Sequence, residues 1–232
     1  MSITTQYLLQ HSGLPGPRGN LALFYEFAEN PDPQGVDECL ALIAEDTADS
    51  PEEFAGMCGV AGWALLHAGE HDAVLVHLRT YAHHASWRIR EAVAMTLQEL
   101  PFDSLAGRAA FAEELRDGSA LVDRAIVAGL CEPKNLKDLE AMGQVYELLW
   151  QATLPLAEAT KLDEGQTALR KALGYGWSVA VVAAPDEGKL AFERLFDLPG
   201  KHPRWIIAEN LKKNRLEKMD AAWMGECRAR LG

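Results

Sequence analysis

The chain has 232 residues, 48% of them apolar, with 22 Lys and Arg against 34 Asp and Glu and a net charge of −12. That apolar share supports a buried core and excludes a disordered chain, while the negative balance argues against general affinity for nucleic acid or anionic membranes, which rests on neutralising phosphates. No apolar run, "WSVAVVAA" at 177–184 included, approaches the roughly 18–20 residues that cross a bilayer, and "MSITTQYLLQHSG" lacks the basic-then-apolar pattern of a secretory leader, so a cytoplasmic protein is expected.

In chain order, helical periodicity predicts elements at 20–28 and 36–45. "SPEEFAGMCGVAGWALLH" follows, with Ser50 as cap, Pro51 at the first helical position and two acids in the first turn, where they suit the positive end of the helix dipole. A helix at 71–82 precedes the clearest case, "SWRIREAVAMTLQELP". There Ile89, Ala92, Val93, Thr96, Leu97 and Leu100 form one stripe, Ser86 caps the start and Pro101 stops it. Further helices are predicted at 104–116, 120–131, 136–151, 164–173, 176–184, 187–196, 202–215 and 218–230. The valine-rich segment 176–184 is read as helix because a single strand would have nothing to pair with.

Consecutive helices joined by short turns suggest stacked antiparallel pairs. "SWRIREAV" and "RWIIAENL" match at Trp87/Trp205, Ile89/Ile207 and Glu91/Glu209, an offset of about three periods of the ~40 residues of a HEAT-type pair. "SWRIREAVAMTLQEL" resembles the second helix of a HEAT repeat, and the tail from "GYGWSV" to "KKNRL" is similar to the C-terminal part of bacterial HEAT-repeat domain proteins, over roughly residues 50–216 as architecture. Position 208, where such tails often carry Arg, is Ala here. The resemblance implies an all-α solenoid of about a dozen helices in one domain, 1–232: capping helices at 1–49, repeats at 50–216 and a C-terminal cap at 217–232. It also implies a concave face used for binding.

Motifs for chemistry are few. "HAGEH", His67 to His71, spells H-x-x-E-H, but Gly69 and the helix signals place the pair across a turn, so an inter-helix turn is expected and no metal. His77, His83 and His84 are read as solvated or capping groups. Cys39, Cys58, Cys131 and Cys227 form no C-x-x-C pair and are expected as buried free thiols. Ser119 and Ser178 lack a nucleophile elbow, no phosphate-binding loop occurs, and no cofactor is expected.

The remaining signal is tryptophan beside arginine. Trp63 and Trp177 are expected in the core; Trp87 and Trp205 are candidate contact residues, since Trp and Arg dominate binding hot spots. The segment 201–218 is a basic exception, six Lys or Arg against two Glu. It is read as one helix on which Ile206 lies exposed in the polar arc and Lys212, Lys213, Arg215 and Lys218 suit the negative end of the dipole. The expected function is a non-enzymatic interaction module binding a protein or peptide through Trp87, Arg88, Arg90 and Glu91, with Arg204, Trp205, Glu209, Asn210 and Lys213 at the far end. The alternative is a HEAT-like alkylpurine DNA glycosylase, for which Trp87, Arg88, Arg90, Asp123 and Arg124 are a loose echo.

Overall fold

A computed structural model describes residues 3–45 and 47–232, and among these every regular element is helical. The chain divides into two compact units, Met1–Pro101 and Phe102–Gly232.

The first unit holds α1 (Thr5–His11), α2 (Leu21–Glu29), α3 (Pro33–Leu40), α4 (Pro51–Leu66), α5 (His71–Ala82) and α6 (Trp87–Glu99). Local chemistry sets the starts: Thr4, Asn20, Asp32, Ser50 and Ser86 each accept a backbone N–H of the first turn, and Pro33 and Pro51 occupy first positions that need no donor. α4 runs through the middle, lying against α1, α2, α3, α5 and α6. It is buried on nearly all sides, so its residues show no apolar stripe. Gly59 and Gly62 make this possible. A Cβ at Gly59 would stand 2.9 Å from the backbone N of Leu40, and one at Gly62 2.6 Å from Val36 Cγ2, so only hydrogen lets α3 come this close. Phe24, Phe27, Phe54, Leu78, Ile89 and Val93 fill the rest of the core.

The second unit holds α7 (Leu105–Leu115), α8 (Ala120–Leu130), α9 (Met142–Glu158), α10 (Glu164–Ala183), α11 (Pro185–Glu193), α12 (Lys201–Asn210), α13 (Asn214–Met219) and α14 (Ala221–Leu231), with short 3-10 turns at Pro133–Asn135, Leu139–Ala141 and Arg194–Asp197. Its central rod is α10, which packs against α8, α9, α11, α12 and α13. Trp177 and Phe192 are fully buried and meet edge to face, and Phe192 meets Trp223 likewise.

The helix expected at 36–45 is α3 at 33–40 and that at 136–151 is α9 at 142–158; two further changes bear on the candidate site. The helices expected at 164–173 and 176–184 are one rod of 20 residues opened by an Asp163–Gln166 capping box. Its glycines mark close approaches: a Cβ at Gly174 would lie 3.0 Å from the Trp205 ring, and one at Gly176 2.9 Å from Val127. Conversely, the single helix expected at 202–215 is broken after Asn210, where Lys212 N and Lys213 N turn back to Glu209 O and Asn210 O. Lys213 therefore sits at the start of α13, the wrong end of a helix for a cation, and the last turn of α12 holds no basic residue. The dipole account of the basic cluster therefore holds only for Lys218, in the last turn of α13.

Candidate functional site

In the first unit the start of α6 is fastened by a buried ion pair. Glu53, on α4 and 1% exposed, takes Arg88 Nη1 at 3.0 Å, the Asp49 backbone N–H at 2.9 Å and the Ser86 hydroxyl. Arg88 Nη2 donates to the Gly16 carbonyl at 3.0 Å and lies 3.2 Å from Asp49 Oδ1, which accepts the Gly16 N–H at 3.2 Å. Every carboxylate and guanidinium group here has several partners, the condition for a buried pair to be tolerated. Arg90 is tied as well: its Nη1 donates to the carbonyls of His84 and Ala85 at 2.7 and 2.6 Å and closes the end of α5.

Between them Trp87 is left outside. It is 55% exposed at the first position of α6, with the Arg88 guanidinium 4.8 Å from its ring centroid. Glu91, one turn on, is half-buried. Of the four residues expected to bind here, Trp87 presents its face to solvent and Arg88 is spent on holding the helix start.

A second aromatic feature lies on α4 and α5. Trp63 is half-buried between His67 and His77, with ring centroids 4.1 and 4.2 Å away and near-parallel planes, and Tyr81 meets His77 at its edge. His67 Nδ1 contacts the Trp63 carbonyl at 2.8 Å and His77 Nε2 the Val60 carbonyl at 3.0 Å. Burial pushes the His77 imidazole down to about 4, against the Val60 carbonyl, which favours its proton. His67 is the cap ending α4 and His71 opens α5, so the two straddle the turn as expected from sequence. Burial holds the Cys39 thiol up at about 11 and the Cys131 thiol at about 12, so both are protonated and unreactive near neutrality.

In the second unit the expected residues part company. Arg204 is exposed and donates to the Leu231 carbonyl; Glu209 is half-buried and paired with Lys212. Trp205 is half-buried, with the Arg170 guanidinium 4.4 Å from its ring centroid. Asn210 is fully buried: its Oδ1 accepts the Ser178 N–H at 2.8 Å, and its Nδ2 donates to the carbonyls of Leu173 and Ile206, both at 2.8 Å. Ile206, expected to be exposed in the polar arc, is fully buried instead. The arc faces α10 because its asparagine is a core residue with its bonds satisfied across the helix pair. Asp123, of the glycosylase echo, is also buried and takes Arg116 Nε at 2.9 Å.

The sequence reasoning missed one site. A pocket of about 390 Å³ opens beside α10, lined by Tyr175, Val179, Val182, Leu136, Glu132 and Arg215 among others. The signal was present: Tyr175, Val179 and Val182 lie at i, i+4 and i+7, a helical face of their own. Compared with protein-family models, curated proteins and solved structures, the chain finds no match.

Proposed function

We propose that the protein is a non-enzymatic helical interaction module, built of HEAT-like helical hairpins, that binds a protein or peptide partner in the cytoplasm with Trp87 as an anchor. The observation that carries the reading is a tryptophan more than half exposed on a helix start immobilised by the buried Arg88–Glu53 pair. Large rigid aromatic area presented without conformational cost is what binding hot spots supply. The contacts of α4 with α6, α8 with α10 and α10 with α12, each pair two helices apart in the chain, support the hairpin-stacking part of the reading.

The test is a photo-crosslinking amino acid placed at Ala85, exposed two residues before Trp87, and, as control, at Val76, an exposed apolar residue elsewhere in the first unit. One dominant protein adduct at position 85 that is absent at 76, and that is lost when Trp87→Ala is added to the same chain, is the expected result. Equal adduct patterns at the two positions would sink the proposal.

A further inference from the structure

The pocket beside α10 is built for a small molecule. Its apolar wall is one face of α10, made by Tyr175, Val179 and Val182, completed by Leu136 from the segment after α8. Val182 remains 36% exposed there, although the neighbouring face of α10 is packed closely on α8, where a Cβ at Gly176 would stand 2.9 Å from Val127. At about 390 Å³ the volume falls at the small end of the roughly 300–1,000 Å³ that metabolite sites occupy.

Two charges stand on the rim. Arg215, near the start of α13, and Glu132, just after α8, both line the pocket, yet among the described residues neither forms an ion pair, with each other or with anything else. Four other cations of the unit, Arg116, Lys189, Lys212 and Arg230, each have a carboxylate. Between them, an exposed guanidinium that can take a carboxylate by two parallel N–H bonds and a carboxylate that can take an ammonium leave both ionic ends of a ligand provided for. A fatty acid would use the cation and be repelled by Glu132, and an amine the reverse; a molecule carrying both charges next to an apolar body satisfies the whole lining.

We propose that this pocket binds a zwitterionic apolar α-amino acid of the leucine or phenylalanine class, its carboxylate on Arg215, its ammonium on Glu132 and its side chain along Tyr175, Val179 and Val182. The site is separate from the Trp87 surface and does not depend on that reading.

Titration of the full chain with L-leucine and L-phenylalanine, followed by methyl and aromatic NMR, tests it. Saturable shifts at Val179, Val182 and Tyr175 are expected. N-acetyl-L-leucine, which lacks the ammonium, and L-leucinamide, which lacks the carboxylate, should each bind about tenfold more weakly or worse, the usual loss when a charge-assisted hydrogen bond is removed. Arg215→Gln and Glu132→Gln should weaken L-leucine by a similar factor while leaving the urea midpoint unchanged, since Arg215 is exposed and Glu132 half-buried. Absence of shifts at millimolar amino acid would overturn the proposal. So would N-acetyl-L-leucine binding as well as L-leucine, or Glu132→Gln improving affinity, either of which would mark a site for a simple carboxylate.

Discussion

The two units solve the same packing problem with unequal electrostatics. Residues 1–101 carry four arginines, no lysine and fourteen carboxylates, a net −10, together with six of the seven histidines; residues 102–232 carry eighteen cations against twenty anions, a net −2. Nearly all of the chain's acidity therefore belongs to one unit, and it is that unit which buries an ion pair, Glu53 with Arg88. The second unit leaves its Arg116–Asp123 pair more open, with the arginine side chain 20% exposed, and ties α12 to α10 with a neutral amide: Asn210 bonds across to the Ser178 N–H and the Leu173 carbonyl. An asparagine tie avoids most of the desolvation cost that a fully buried ion pair carries.

The sharpest way to break this comparison is to remove one keystone from each half. Arg88→Ala leaves Glu53 buried and unpaired and should destabilise the first unit by about 3–5 kcal/mol. Trp177→Ala should cost the second unit a similar about 3–5 kcal/mol through the cavity it leaves. Hydrogen exchange read by mass spectrometry decides whether each loss stays within its own half: protection should fall across residues 3–101 in the first variant and across 102–232 in the second. Equal loss in both halves for either variant would mean that the two unfold as one.

Asn210→Leu is the intermediate case. It strands the Ser178 N–H and the Leu173 carbonyl, and about 2 kcal/mol is expected from the urea midpoint. If the amide matters less than the Arg88 pair, as the comparison requires, this loss is the smaller.

The smallest effect concerns pH. His77 is neutral when folded, with its value held at about 4, while the unfolded imidazole titrates near 6.5. The unfolded chain therefore binds the extra proton first, so this contribution is fully present above pH 6.5 and is lost as pH falls toward 4. For a half-buried ring partly screened by solvent, about 2 kcal/mol is a reasonable size. Urea midpoints between pH 7 and 4 should fall for the native chain and fall less for His77→Phe, which keeps the stack with Trp63 but cannot titrate. Identical slopes would assign the pH response to other groups.

Much of the fold was legible because it is local. Ser50 with Pro51, and Ser86 with the stripe from Ile89 to Leu100, announce α4 and α6 by rules that act within a turn or two. What misled were residues whose meaning is tertiary. Gly174 and Gly176 read as a break between helices, yet they mark where Trp205 and Val127 come close to an unbroken one. Asn210 read as surface, and with it Ile206 was placed on the wrong side, because polarity says nothing about a partner 37 residues away. For the candidate site, Trp87 was singled out by type and position and is exposed, while the fate of Arg88 depended on Glu53 and Gly16, distant in sequence. The pocket beside α10 was missed because the valines of 176–184 raised only the question of helix or strand.

The bond from Arg88 to the Gly16 carbonyl bridges 72 positions, and a contact of that span forms only after both flanking regions have already organised. Fastenings made that late add little to the speed of assembly and act mainly on the rate of escape, so the guanidinium governs how long the loop at Gly16 stays fixed to α6.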